Sequence, residues 1–312
     1  MSTAIAYTEF GGPEVLQQIE IPDPTPAAGQ VAIRVEAVGV NPIDGKLRAG
    51  VRTSAPITEP RRVGNDGAGV VTAVGEGVDG FRAGDPVVFS APGAYATDVV
   101  ADAAQVHARP RQVSAAVGAA LGIPVGTAYQ TLRSLAVTAG DTVLVHAGSG
   151  AVGQALIQYA VLWGATVVAT ASPRRFDRVR ALGATPVAYG EGLEDRVREA
   201  APQGVTVAID AAGTDEALQT SLALVADRSR IATLVRGKDA DGLGIRAFSG
   251  GSPHPLTAQQ QEWRREATPV TLALLAADRF SIELGPSFPL ADAADAHRAL
   301  AGGVDGKIVL VP

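Results

Sequence analysis

The hydrophobic rhythm of the chain changes twice. In the first third, short stretches alternate apolar and polar residues with a period of two, and Gly and Pro punctuate them. "QVAIRVEAVGV" (30–40) reads as a half-buried strand, and "GAGVVTAVGEGV" (67–78) and "DPVVFS" (85–90) repeat the pattern between turn residues. Short strands with glycine-rich corners predict a small barrel or sandwich. Near residue 114 the period lengthens. "SAAVGAALGIPVGTAYQTLRSLA" (114–136) predicts helical segments broken at Pro124.

Strands and helices then alternate. "DTVLVHA" (141–147) predicts a buried strand and "AVGQALIQYAVLWG" (151–164) an amphipathic helix. "ATVVATAS" (165–172) predicts a second strand, and "RRFDRVRALG" (174–183) a second helix closed by Gly183. "TPVAYG" (185–190), "VTVAID" (205–210) and "RIATLV" (230–235) read as further strands, with a helix over "LEDRVREAAP" (193–202). Such alternation, with a nearly all-apolar first strand, predicts an α/β fold with a doubly wound parallel sheet of the Rossmann type. The end reverts: "DAADAHRALAGG" (292–303) is a helix with a glycine stop and "GKIVLVP" (306–312) a strand that returns to the first domain. The expected boundaries are 118–278 for the nucleotide domain and 1–117, completed by 279–312, for the other.

Composition narrows the classes. A chain of 312 residues is long for one domain and comfortable for two. Hydrophobic residues at 46% and charged residues at 19% suit a globular protein. No run of about 18 apolar residues predicts a membrane span, and "MSTAIAYTEFGG" lacks the pattern of a signal peptide. The expectation is a cytoplasmic protein with no membrane partner. With no cysteine, disulfides and thiolate-ligated metals are excluded. A net charge of −6 without a basic stripe argues against a nucleic-acid partner.

The chemistry concentrates at "GSGAVG", a G-x-G-x-x-G match at Gly148, Gly150 and Gly153. The pattern follows a buried strand and opens a helix, which favours a dinucleotide site over a glycine-rich turn without ligand. Gly148 would make the tight turn, Gly150 would let backbone approach a pyrophosphate, and Gly153 would let helix and strand pack closely. The helix N-terminus would offer N–H groups to the phosphates. An NAD-selective site places Asp or Glu at the end of the second strand, on the ribose 2′-OH. Here the strand ends Thr170-Ala171-Ser172 and runs into Pro173-Arg174-Arg175, with no acid before Asp177. A hydroxyl and two guanidiniums suit a 2′-phosphate, so NADPH is the expected cofactor. The alternative, a solvated helix start, sets two cations where the helix dipole disfavours them.

Six ordered blocks carry a wider likeness: "GVNPIDGKLRAG" (39–50), "VGNDGAGVVTAVGEGVDGFRAGDPVVF" (63–89), "GAYATDVV" (93–100), "GTAYQTL" (126–132), "HAGSGAVG" (146–153) and "AHRALAGGVDGKIVLVP" (296–312). Over nearly its whole length the sequence resembles the zinc-independent quinone oxidoreductase branch of the medium-chain dehydrogenase/reductase superfamily. The resemblance implies a GroES-like β-barrel domain plus a Rossmann domain, with the active site in the cleft between them. It implies a homodimer formed through the Rossmann sheet edges, in the 230–250 region. Zinc-dependent members bind their metal through a cysteine and a "GHE" block. Asn41 stands where that cysteine would fall, and "GND" (64–66) puts Asn65 in place of the histidine. His107, His146, His254 and His297 show no ligand spacing, so no metal is expected, and His146 reads as a core or loop-orienting residue.

By resemblance, Asn41 would lie near the nicotinamide ribose or the substrate carbonyl, and Thr127 near the nicotinamide end. Gly150, Ala151, Val152 and Gly153 would hold the pyrophosphate. Ser172 and Arg175, with Arg174 beside them, would hold the 2′-phosphate. Tyr189, one residue off the family's tyrosine, would line the adenosine side, while Leu234 and Phe248 would flank the nicotinamide. Lys46 stands where some members carry a substrate-facing tyrosine, and reads as an oxyanion donor, a cofactor ligand or a solvated lysine. For Asn41 the bland reading is a turn-making residue before Pro42. The implied activity is NADPH-dependent hydride transfer to a small-molecule quinone or activated alkene. A metal-free carbonyl reductase using Lys46, and a non-catalytic NADPH-binding sensor or structural protein, stand as alternatives.

Overall fold

The fold comes from a computed structural model that describes residues 1–51, 56–248, 252 and 254–312. Along the chain the first strands are β1 (Ser2–Tyr7), β2 (Gln17–Ile21), β3 (Gln30–Gly39), β4 (Arg61–Arg62), β5 (Asp66–Val74), β6 (Pro86–Ser90), β7 (Asp98–Asp102) and β8 (Val106–Ala108), with helix α1 (Pro42–Arg48) after β3. Helices α2 (Ala115–Ala119) and α3 (Gly122–Ser134) follow. The predicted break at Pro124 moves forward to residues 120–121. Pro124 is the third residue of α3, within the first turn, where a missing N–H costs no helical hydrogen bond.

The next part alternates as predicted: β9 (Thr142–His146), α4 (Ala151–Leu162), β10 (Thr166–Ala171), α5 (Phe176–Ala181), β11 (Thr185–Ala188), α6 (Leu193–Ala200), β12 (Val207–Asp210), α7 (Asp215–Leu224), β13 (Ile231–Thr233), α8 (Ala240–Leu243) and β14 (Arg246–Ala247). The chain ends with α9 (Ala258–Ala276), β15 (Leu284–Pro289), α10 (Ala293–Gly302) and β16 (Lys307–Val311). Two compact units result, Met1–Ile123 with Thr268–Pro312, and Pro124–Ala267.

The first unit holds a sheet in the order β15-β16-β3-β5-β6-β8, with β7 also on β3, and a smaller sheet β2-β1-β4. β16 pairs antiparallel with the end of β3, Val309 opposite Gly39, so the last strand does return to the first unit. The inward residues of β1, β3, β5 and β6 close over one apolar core that includes Ile5, Ile33, Val71 and Phe89. The second unit has a six-stranded, all-parallel sheet, β11-β10-β9-β12-β13-β14. Counted within the unit, that is the 3-2-1-4-5-6 order of a dinucleotide-binding sheet, reversing direction between β9 and β12. Every residue of β9 is buried, as a central strand covered on both faces requires. Among the described residues, no helix is long and apolar enough to cross a membrane.

Candidate active site

In the second unit most of the residues expected to hold the cofactor lie just past the ends of β9, β10, β11 and β13. Ala147, just past β9, adopts φ 58°, a left-handed conformation that non-glycine residues seldom take. Its N–H donates to Thr170 Oγ1 at 3.0 Å, and the Gly148 N–H to Thr170 O at 2.8 Å. The turn is thus made by Ala147 and pinned to β10. Gly148 is needed for a different reason from the expected one: a Cβ there would sit 2.6 Å from Ala169 Cβ. At Gly153 a Cβ would come within 2.2 Å of Ala147 O, so close helix-strand packing does require that glycine.

Gly150 is unlike both. A Cβ there would meet only Ala147 O, at 3.5 Å, an ordinary contact. Nothing inside the protein demands that glycine, and the space it leaves is open. Gly150 caps α4 with no side-chain cap, no acid occupies the first turn, and Gly150 and Ala151 are exposed, with Val152 half-buried. The first N–H groups of a 12-residue helix therefore face outward with the positive end of its dipole. A pyrophosphate fits that cradle. Gln154 steadies it, donating from Nε2 to Ser149 O at 2.8 Å while its Oε1 accepts from Arg178 Nε at 2.9 Å.

Beyond β10, Ser172 is half-buried and opens a turn over Pro173–Arg175, with Arg174 exposed and Arg175 half-buried. The first acid, Asp177, is paired with Arg180 at 2.8 Å. Tyr189, after β11, is 60% exposed, unusual for so large a ring. Leu234 is half-buried after β13, its N–H donating to Asp210 O at 2.8 Å. Phe248 is buried, its ring covered by the Arg246 guanidinium at 4.9 Å. Thr127 is buried on α3, where its Oγ1 accepts from Arg264 Nη2 at 3.2 Å.

Two buried groups here escaped the sequence reading or received only an outline. Asp210 ends β12 and organises two loops. Its Oδ1 accepts from Ala212 N at 2.9 Å and Gly213 N at 2.7 Å, and its Oδ2 from Thr233 Oγ1 at 2.8 Å. An acid closing a buried strand in "VAID" was the available signal. His146 is buried beside Ser221, Nε2 to Oγ 3.1 Å. Because that hydroxyl already donates to Ala217 O at 2.7 Å, Nε2 carries the proton. Burial pushes this imidazole down to about 4, with Asp210 and Glu216 pulling weakly the other way, so His146 is a neutral core residue.

The first unit holds the other group of candidates. Asn41 caps α1 and is fully buried. Its N–H donates to Asp44 Oδ2 at 2.8 Å, and its Nδ2 donates to Asp66 Oδ2 at 2.9 Å and Gly39 O at 3.3 Å. Lys307 Nζ donates to Asn41 Oδ1, and to Val40 O at 2.7 Å. Both amide N–H bonds of Asn41 are therefore committed, and the side chain has no donor left for a substrate carbonyl. Lys46 is exposed and stands apart from this network; the buried cation beside Asn41 is Lys307. Burial pushes its ammonium down to about 8, while Asp66 and Asp44 hold it up.

A second arm runs from Asp44 outward. Tyr95 Oη donates to Asp44 Oδ2 at 3.0 Å and lies 3.2 Å from His297 Nε2, while His297 Nδ1 lies 3.2 Å from Arg48 Nη1. Arginine can only donate, so Nδ1 accepts and Nε2 carries the proton toward Tyr95. Burial, then the Arg48 charge, lowers His297 to about 4. Burial raises Asp44 to about 6, opposed by its hydrogen bond from Asn41.

These residues do not fit a zinc ion. Asn41 Oδ1 faces an ammonium, and Asn65 Nδ2 donates to Ser90 Oγ at 2.6 Å and Asp66 Oδ1 at 3.0 Å. Among the described residues no group of three His, Asp or Glu side chains is arranged to hold a metal.

A GroES-like sheet followed in sequence by a dinucleotide-binding sheet with an open glycine loop defines a nicotinamide-dependent dehydrogenase or reductase of the medium-chain type. Residues 27–131 match the family described as alcohol dehydrogenase GroES-like domain, and residues 151–246 the family described as zinc-binding dehydrogenase. The quinone oxidoreductase of Sus scrofa is 32% identical, over 100% of this chain and 98% of the relative. The chain belongs to the quinone oxidoreductase branch of the medium-chain dehydrogenase/reductase superfamily. Among solved structures, a mycobacterial protein in complex with NADPH is 32% identical with TM-score 0.83, covering 100% of both chains. The Escherichia coli quinone oxidoreductase complexed with NADPH is 26% identical with TM-score 0.84, covering 99% of this chain and 100% of that one.

Proposed function

We propose that this chain is an NADPH-dependent, zinc-independent oxidoreductase that reduces a quinone or an activated alkene. The observation that carries the cofactor is the end of β10, where a hydroxyl and two arginines stand in place of a carboxylate. Relatives of matching length named quinone oxidoreductase, and the E. coli neighbour bound to NADPH, support the same reading. When bound, NADPH supplies a hydride from its nicotinamide.

The chain's own residues do the rest. The open N-terminus of α4, from Gly150 to Gly153, receives the pyrophosphate, with Gly148 seating the loop. Ser172, Arg174 and Arg175 hold the 2′-phosphate, and Tyr189 offers a flat face on the adenosine side. Thr127, Leu234 and Phe248 border the nicotinamide. Asn41 serves the architecture of the first unit, since its donors are spent within the fold. That favours a conjugated acceptor. Hydride addition to a quinone or enone spreads negative charge over a π-system, whereas a simple ketone concentrates it on one oxygen that needs a strong local donor. Lys46, exposed, is the remaining candidate donor for the ketone case.

Steady-state NADPH oxidation with a quinone, an enone and a ketone tests the assignment. Turnover of the first two well above the third is expected; a preference for the ketone overturns it. Assembly as a homodimer through the edge at β14, which among the described residues pairs with β13 alone, belongs to the same reading. Residues 249 and 250, at the end of the expected contact, lie outside the described residues. Light scattering at the single-chain mass across micromolar concentrations would contradict it.

A further inference from the structure

The exposed ring of Tyr189 stands on a short loop. β11 ends at Ala188, and the chain turns through Tyr189, Gly190, Glu191 and Gly192 into α6. Gly190 and Gly192 take φ 98° and 78°, left-handed conformations that glycine reaches freely. A Cβ on Gly190 would meet nothing within 4 Å, so its backbone angle, and not crowding, calls for glycine. Two such glycines so close together would leave a loose turn if nothing else acted on it.

Arg196, in the first turn of α6, reaches back over this loop. Its Nε donates to Ala188 O at 2.9 Å, its Nη2 to Gly190 O at 2.7 Å and its Nη1 to Glu191 O at 2.7 Å. One planar guanidinium thus gathers three carbonyls in a fixed geometry that the single ammonium of a lysine could not match. The placement is unfavourable otherwise, since a cation near a helix N-terminus lies at the wrong end of the dipole. A second tie comes from α7, where Glu216 Oε2 accepts from Gly190 N at 3.0 Å. The residues on either side of Tyr189 are therefore held, while its own side chain, 60% exposed, takes part in none of these bonds.

We propose that Arg196 and Glu216 are positioning residues for the cofactor, holding the 188–191 loop so that the Tyr189 ring is presented in advance as the face on which the adenine stacks. The inference rests on the assignment of Tyr189 to the adenosine side made above. The sheet supports it. β10 and β11 run parallel and pair Ala171 with Ala188, so Ser172 and Tyr189 leave neighbouring strands at the same level. The ring therefore emerges beside the segment assigned to the 2′-phosphate. Because the loop is ordered in the fold, binding does not have to order it. An exposed aromatic ring on a fixed backbone loses little freedom when a flat base covers it, and the stacking adds affinity. Arg196 and Glu216 act through Tyr189, with their polar atoms turned to the loop.

The test titrates the full chain with NADPH and with adenosine 2′,5′-bisphosphate, as wild type, Tyr189→Ala, Arg196→Met, Arg196→Lys and the double variant of Tyr189→Ala with Arg196→Met. Tyr189→Ala should weaken both ligands about tenfold. Arg196→Met should weaken both about fivefold, as loss of a preformed face does. Arg196→Lys should lose nearly as much, because it keeps the charge and not the planar fork. The double variant should bind no more weakly than Tyr189→Ala alone, because Arg196 acts through that ring. A general prop of the fold would not show this dependence, so losses that multiply in the double variant overturn the proposal. Wild-type affinity in Tyr189→Ala, in Arg196→Met or in Arg196→Lys overturns it as well. Should Arg196→Met fail to fold, Glu216→Ala, alone and with Tyr189→Ala, makes the same comparison. If the wild type binds neither ligand, the cofactor assignment has failed and the inference falls with it. Firm wild-type binding beside a neutral Tyr189→Ala sinks the inference alone.

Discussion

The glycine loop of the second unit and the buried network of the first solve opposite problems. At residues 147–153 the backbone is held from behind by Thr170 and Gln154, and the helix end is left open with its donors unspent. Around Asn41 every donor of the amide is consumed, and the side chain is sealed from solvent. One region leaves helix donors open, as the proposed pyrophosphate site requires, and the other closes its donors within the fold. Resemblance to a family marks both as functional, but only the hydrogen-bond inventory separates a receiving site from a holding one.

The largest effect should come from breaking the closed region. Asn41→Ala leaves Lys307 and Asp66 buried and unbridged, which should destabilise the fold by about 3–5 kcal/mol. Chemical denaturation measures it, and a change below about 1 kcal/mol would mean that the network is not closed. The glycines sharpen the contrast at intermediate size. Gly153→Ala should cost about 1–3 kcal/mol of stability, because its Cβ strikes backbone. Gly150→Ala should stay within about 1 kcal/mol of wild type yet weaken NADPH at least about tenfold by titration. If the two variants behaved alike, the open cradle would not exist.

Smaller still is the cofactor choice. NADPH should bind at least about tenfold more tightly than NADH, on the order of 1.4 kcal/mol. Arg175→Ala should remove most of that margin while leaving NADH nearly untouched, and equal dissociation constants in wild type would refute it. A separate effect is on pH. His146 and His297 sit near 4 in the fold, below an unfolded value of about 6.5. Between those values the unfolded chain binds more protons, so stability falls as pH drops through that window. Asp44, raised to about 6, works in the reverse direction and offsets part of the loss. His146→Asn should make the melting temperature decline less steeply from pH 6.5 to 4.5, and an unchanged slope would contradict its burial as a neutral ring.

The same contrast explains what the sequence could reveal. The loop and its flanking elements lie within about thirty consecutive residues, and period, turn chemistry and charge all act locally. The parallel, doubly wound sheet followed from that alternation, whereas its strand order is a finding of the structure. The network was hidden because Asn41 and Lys307 are 266 residues apart in sequence, and nothing near either residue announces the other. Lys46 was singled out because some members of the family carry a substrate-facing tyrosine there, and that comparison gives no hint of Lys307, which reaches Asn41 from the last strand. Gly148 was expected to make the tight turn. The left-handed residue is Ala147, and only the distance to Ala169 explains the glycine.

The first unit is interrupted by the second, and this sets an order of assembly. Pro124–Ala267 is one continuous stretch and can complete its parallel sheet without the rest of the chain. The first unit cannot, because β16 joins β3 across some 270 residues, Val309 opposite Gly39. During synthesis that end of β3 waits while the whole intervening unit is made. The amides of β9, β10 and β12 should gain protection from solvent exchange in refolding before those at the β3–β16 seam, and pulsed hydrogen exchange would reveal the sequence of events. On that view the contact between Lys307 and Asn41 is a closing latch, formed late and only by a chain whose two distant segments have found each other.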